Sequence, residues 1–146
     1  MTKAIYFDMD GTLADLYSID NWLPRLRAHD PSPYMEAAPM LRLCSLAKRL
    51  NRLQKQGYFL GIISWVSKDP DEAYAEQVAE AKRAWLKKHL PSVNWDEIII
   101  TPYGKSKTSV ATHPFGILFD DNSAIREDWI GTAYDVDAIL ANLATL

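Results

Sequence analysis

Lys3-Ala4-Ile5-Tyr6-Phe7-Asp8-Met9-Asp10-Gly11-Thr12-Leu13 is the stretch on which the reading of this chain turns. The apolar run Ala4 to Phe7 leads straight into two carboxylates one residue apart, followed by a glycine and a hydroxyl. A short apolar run with aromatic and β-branched members reads as a strand buried on both faces. An unpaired carboxylate inside such a strand is costly, so the strand must end near Asp8, with both acids where the chain leaves the sheet. In a parallel α/β sheet that carboxyl end is where ligands bind.

Working outward, the chain alternates. Leu13 to Leu26 has one apolar face and suggests a short helix or helix-like turn, with Pro24 marking a break or a first-turn position. Asp30-Pro31-Ser32-Pro33 is a loop signal. Pro39 precedes or opens a helix expected over Met40 to Gln56, stopped by Gly57. Its basic residues Arg42, Lys48, Arg49, Arg52 and Lys55 read as a solvated face.

Tyr58 to Ile63 is a second strand ending at Ser64-Trp65, with Gly61 allowing a close neighbour. Ser67-Lys68-Asp69-Pro70-Asp71 is a loop whose end caps a helix from Glu72 to His89. Glu97 to Thr101 is a third buried strand, and a short helix follows over Lys107 to Ala111. Phe115 to Phe119 is a fourth strand ending at Asp120-Asp121-Asn122. A short helix near Ser123 to Asp128, a strand over Thr132 to Tyr134 and a helix over Val136 to Leu143 complete the order. Strictly alternating strands and helices imply a three-layer αβα, Rossmann-like α/β fold, with a central, mostly parallel sheet and right-handed crossovers.

The length of 146 residues, with 48% hydrophobic residues, fits a single core domain over residues 1–146. Only residues 13–38 leave room for an insertion, a rudimentary cap or substrate loop. A net charge of −3 gives no indication of nucleic-acid binding. The single cysteine, Cys44, excludes an intrachain disulfide and reads as a small buried hydrophobe. No charged leader precedes a long apolar segment and no run reaches the ~18 residues of a membrane span, so a cytoplasmic protein without membrane contact is expected. His29, His89 and His113 show no metal-ligand spacing.

The strand ends bring Asp8 and Asp10, Ser64, Lys105 and Lys107, and Asp120 and Asp121 to one rim. Four acids this close repel one another, and a divalent cation resolves the repulsion; hard oxygen ligands suit Mg²⁺. A lysine and a hydroxyl beside the metal equip the rim to hold a phosphoryl group.

Asp8-Met9-Asp10-Gly11-Thr12, then Ser64, Lys107 and Asp120-Asp121, resembles the four-motif signature of the haloacid dehalogenase-like superfamily, over nearly the whole chain. The Lys107-Thr108 pair is more weakly similar to deoxyribonucleotidase-like members. The resemblance implies a Mg²⁺-dependent phosphatase with Asp8 as nucleophile, forming an aspartyl-phosphate. Asp10 would be general acid and then general base, its backbone carbonyl also reaching the metal. Gly11 would give the exit turn, Thr12 orient the loop, and Ser64 and the backbone around Trp65 bind phosphoryl oxygens. Lys107 would offset their charge, with Lys105 as the alternative. Asp121 is the favoured metal ligand beside Asp8, with Asp120 as supporting acid or alternative ligand.

So small an insertion leaves the site open, which suits a large phosphorylated substrate, small molecule or macromolecule, or a lid from a second copy or partner chain. Trp22, Tyr34 and Trp65 fall near the rim, where ordinary packing and stacking on a nucleobase are both open. Two other classes remain. A phosphoacceptor of the response-regulator kind carries its acid after the third strand, where this chain has Ile100-Thr101-Pro102. A catalytically silent binding module is disfavoured by the full set of acids.

Overall fold

The computed structural model describes residues 2–68 and 70–146; Asp69, within the expected loop from Ser67 to Asp71, lies outside them. The opening strand, β1 (Ala4–Phe7), is buried at every position and lies at the centre of the sheet. It pairs in parallel with β4 (Phe59–Trp65) on one side and β6 (Ile117–Phe119) on the other. Beyond these, β5 (Glu97–Thr101) joins β4 and β7 (Thr132–Tyr134) joins β6, both in parallel, giving the order β5-β4-β1-β6-β7. The expected α/β sheet is therefore present and wholly parallel. Two expectations change: β5 is only partly buried before Thr101, because it is an edge strand, and the strand read from Phe115 starts at Ile117, with Phe115 exposed.

Side chains alternate across a strand, and the two faces of β1 carry different cores. Ile5 and Phe7 join Leu60, Ile62 and Phe119 under α3 (Leu43–Lys55), α4 (Glu72–His89) and α7 (Ile139–Ala144). Ala4 and Tyr6 join Ile63 and Leu118 under α5 (Lys107–Val110) and α6 (Ser123–Asp128). Tyr6 lies directly opposite Gly61 in the register, and a Cβ on Gly61 would collide with the Tyr6 ring. Gly61→Ala is therefore expected to cost about 1–3 kcal/mol, the range for overpacking a tight core, read from the shift of the urea midpoint at unchanged slope.

The segment after Thr12 departs most from expectation. Instead of one helix-like stretch it holds β2 (Ala14–Asp15), a 3-10 turn over Leu16–Ser18 and α1 (Trp22–Arg27), with Pro24 in the first turn where its missing N–H costs nothing. The expected loop at Asp30-Pro31-Ser32-Pro33 instead starts α2 (Ser32–Glu36). Asp30 accepts the Ser32 backbone N–H at 2.9 Å, and Pro33 occupies a first-turn position. Ala38–Pro39 forms β3, antiparallel to β2, so the following helix starts at Leu43 rather than Met40.

Cys44 is exposed, contrary to its reading as a buried hydrophobe. The buried face of α3 is set by Leu46, Leu50 and Leu53, and position 44 falls on the opposite side at helical spacing. The C-terminal element begins as a 3-10 turn over Val136–Ala138 and becomes α-helical at Ile139. Leu16, Leu26 and Tyr34 pack with Tyr74, Val78 and Ala81 of α4, so the segment after Thr12 lies against that helix through a small apolar cluster of its own.

Candidate active site

The carboxyl edge of the sheet collects the expected groups by simple register. Phe7 pairs with Ile62 and with Phe119, so the next residues along β1 and β6, Asp8 and Asp120, leave the sheet side by side. The Asp8 N–H still donates to the Phe119 carbonyl at 2.9 Å, anchoring the backbone at the point where the side chain leaves the sheet. After Asp8 the chain turns sharply. The Met9 carbonyl accepts from the N–H groups of Thr12, Leu13 and Ala14, and Gly11 takes φ +80°. A Cβ on Gly11 would meet both the Asp121 carboxylate and the Tyr17 ring, so glycine is required by conformation and by space.

β4 runs through Ser64 to Trp65 rather than stopping at Ile63, which puts the Ser64 side chain within the sheet edge. Strand alternation points Ser64 to the α4 layer, the same side as Ile62.

Lys107, at the start of α5, is buried in the opposite layer, its ammonium 3.0 Å from Asp8 Oδ1 and 2.6 Å from Asp120 Oδ2. Burial pulls its pKa down, but the two carboxylates outweigh that and hold it above the ordinary lysine value. Lys105 contributes its backbone carbonyl, which accepts from the Trp65 indole at 2.8 Å. Of the two candidate lysines, the structure brings Lys107 to Asp8.

Thr12 Oγ1 lies 3.2 Å from Asp8 Oδ2 and 3.4 Å from Asp121 Oδ1, tying the turn to the fourth motif. Asp120 is fully buried with both oxygens engaged, one by Lys107 and the other by the Asn122 N–H at 3.0 Å. Asp121 is the freer of the pair. Oxygens of Asp8, Asp120 and Asp121 lie within 4.8 Å of one another, a hard-oxygen donor set of the kind that suits Mg²⁺. The Asp10 carboxylate stands apart from this trio.

Sequence reasoning missed Lys82. It projects from α4 with its side chain 1% exposed and lies 2.7 Å from Asp10 Oδ2, 2.6 Å from Ser64 Oγ and 2.6 Å from the Trp65 carbonyl. A signal was present: Lys82 falls four residues after Val78 and three before Trp85, on the buried face of the helix, where a lysine needs a partner.

With all four ionised, the carboxylates Asp8, Asp10, Asp120 and Asp121 would exceed the two ammonium groups by two negative charges, which one divalent cation would balance. Burial, then the Asp8 charge, raises Asp120 to about 6 and Asp121 to about 7. Burial likewise pushes Asp10 up against the pull of Lys82.

A cation held by this cluster would have to displace protons from these raised acids. Mg²⁺ affinity is therefore expected to fall as pH drops through the interval from about 7 to about 6 and to level off above it. Calorimetric titration of the protein with Mg²⁺ across that interval checks this, and an affinity independent of pH would contradict it.

A cavity of about 600 Å³ opens from the acids and runs under the segment after Thr12, lined among others by Tyr17, Trp22, Leu23, Trp65 and Tyr103. Trp22 packs edge-on to Tyr17 and Trp65 lies against Tyr103, each pair at 5.0 Å. Tyr34 also borders the cavity but is itself buried, its ring packed against Lys82 with the ammonium 4.9 Å from its centre. Among the described residues no helix is long and apolar enough to cross a membrane.

No family model matches this chain, and no curated protein matches it. Among solved structures, D,D-heptose 1,7-bisphosphate phosphatase from Burkholderia thailandensis is similar with a TM-score of 0.53 at 11% identity, over 99% of this chain and 97% of that one. The HAD domain of the effector protein Lem4 from Legionella pneumophila matches with a TM-score of 0.44 at 15% identity, over 99% of this chain and 92% of that one. The α/β architecture, with its parallel sheet flanked by helices, is that of the haloacid dehalogenase-like fold.

Proposed function

We propose that this chain is a phosphatase that hydrolyses phosphomonoesters through an aspartyl-phosphate on Asp8. The observation that carries the reading is the Asp8 carboxylate itself. It sits at the end of the central strand, steered by Lys107 and Thr12, and with Asp120 and Asp121 makes a trio of oxygen donors that fits Mg²⁺.

In the first step an Asp8 oxygen forms a bond to phosphorus while the phosphorus–ester oxygen bond breaks. The departing electron pair takes the proton of Asp10 and leaves as an alcohol. In the second step water attacks phosphorus, gives a proton to Asp10, and the bond to Asp8 breaks to release phosphate. Burial raises the Asp10 pKa, which favours the proton-bearing form a general acid needs.

Ser64 and the backbone around Trp65 hold the phosphoryl oxygens, Lys107 offsets their charge, and Gly11 and Thr12 shape the loop that receives them. Asp8, Asp121 and the Asp10 carbonyl, with Asp120 in support, would hold Mg²⁺. The cation supplies charge neutralisation of the phosphoryl group when bound.

The single core domain, with residues 13–38 as a rudimentary cap, accounts for a cavity that is roofed yet small. Its aromatic lining favours a planar leaving group, and a 5′-nucleotidase-like activity is the specific form we favour. A lid from a second copy or a partner would complete the exclusion of water. An exposed thiol at Cys44 fits a reducing, cytoplasmic setting.

Phosphate release from an aryl phosphate and a panel of nucleoside monophosphates, with and without Mg²⁺, tests the reading. Mg²⁺-dependent turnover is expected. Stable phosphorylation without turnover would instead favour a phosphoacceptor domain, and neither reaction nor Mg²⁺ binding would leave a silent module.

A further inference from the structure

Lys82 is a fully buried cation that the chemistry above leaves without a task. A lysine ammonium has three N–H donors and no acceptor. Asp10 Oδ2, Ser64 Oγ and the Trp65 carbonyl take all three at 2.6–2.7 Å, and the Tyr34 ring closes over the same group. With its donors spent, Lys82 has none to offer a phosphoryl oxygen, unlike a lysine that binds phosphate directly.

Its effect falls on its partners. Because Ser64 Oγ accepts from Lys82, the Ser64 hydroxyl must send its own hydrogen elsewhere, and Ser64 lines the cavity. Because only Oδ2 of Asp10 is held, Oδ1 is left to carry the proton that the departing ester oxygen needs. The carboxylate left after transfer already faces a positive charge.

We propose, on the basis of the phosphatase reading, that Lys82 is a positioning residue that orients the Asp10 carboxyl toward the leaving-group oxygen and the Ser64 hydroxyl toward the phosphoryl group. As the phosphorus–ester oxygen bond breaks, the pair left on that oxygen takes the proton from Asp10 Oδ1, and Lys82 holds the resulting carboxylate in place for the second step. Two buried lysines thus grip the site from opposite layers, Lys107 through Asp8 and Lys82 through Asp10.

A purely structural lysine would affect all substrates alike, whereas one that acts through the general acid matters most when the leaving group is poor. The test compares kcat/KM for phenyl phosphate and for dinitrophenyl phosphate, whose leaving group departs without protonation. Lys82→Met is expected to lose about 10²–10⁴-fold on phenyl phosphate, the usual weight of general acid catalysis, and less than about tenfold on dinitrophenyl phosphate. An equal loss on both esters, or no loss on phenyl phosphate, overturns the inference.

Should Lys82→Met fail to fold, Asp10→Asn/Lys82→Met removes both charges together and is compared with Asp10→Asn alone. Values for phenyl phosphate within about tenfold of each other support the inference, since the two residues then act as one unit; a larger further loss overturns it. A wild-type protein that hydrolyses neither ester rejects the phosphatase reading and this inference with it. Wild-type turnover with a Lys82 effect blind to the leaving group rejects this inference alone.

Discussion

Asp8→Asn is expected to abolish Mg²⁺-dependent phosphate release from every ester, by about 10⁵-fold or more, the scale on which loss of a covalent nucleophile is felt. The amide keeps the size of the side chain but cannot attack phosphorus. The fold should survive the change. After burial, the Asp8 charge is the next cause that raises Asp120 and Asp121, so neutralising it relieves repulsion in the metal-free protein. Lys107 retains Asp120 at 2.6 Å. The melting temperature without Mg²⁺ is therefore expected to be unchanged or higher, while any Mg²⁺ affinity falls with the loss of one negative charge from the trio. Turnover that persists in a well-folded Asp8→Asn protein would remove Asp8 from the nucleophile's role.

Lys107→Met is expected to cost both stability and turnover. The ammonium is buried and holds two buried carboxylates, and removing one partner of such a cluster costs on the order of 3–5 kcal/mol because the remaining charges stay uncompensated. Urea denaturation without metal reads that loss. Saturating Mg²⁺ is expected to recover part of it by mass action, as a cation held only by the folded carboxylate trio would. Lys105→Met is the comparison, because only the backbone carbonyl of Lys105 is engaged near the site. Turnover lost in Lys105→Met and kept in Lys107→Met would move the motif role to Lys105.

Much of this site was legible before folding because its elements are short and strongly patterned. An apolar run that ends in acids has few ways to be accommodated, and β1, β5, α4 and β7 lie where their patterns put them. Asp8 and Asp120 could be assigned to one rim because a parallel sheet brings all its strand ends to the same edge. The segment from Leu13 to Met40 was legible only in part. Its prolines signalled interruption, but whether Pro33 ends a loop or opens a helix depends on Asp30 reaching the Ser32 backbone, held in turn by Arg25. β2 and β3 are too short to have a pattern of their own.

By itself the sequence determined the order of the five sheet strands and the helices between them from Leu43 on, the rim at which the acids gather and the acids at the strand ends, since these follow from local hydrophobic pattern and from the cost of burying charge. The tertiary structure alone decided which lysine meets which acid. Lys107 and Lys82 reach the site from opposite layers, and their partners on the first strand's exit, Asp8 and Asp10, are 99 and 72 residues away along the chain. It also decided that Cys44 faces outward and that the segment after Thr12 lies against α4. Such pairings are long-range, and no local pattern encodes a contact whose two halves are fixed only when the helices dock on the sheet.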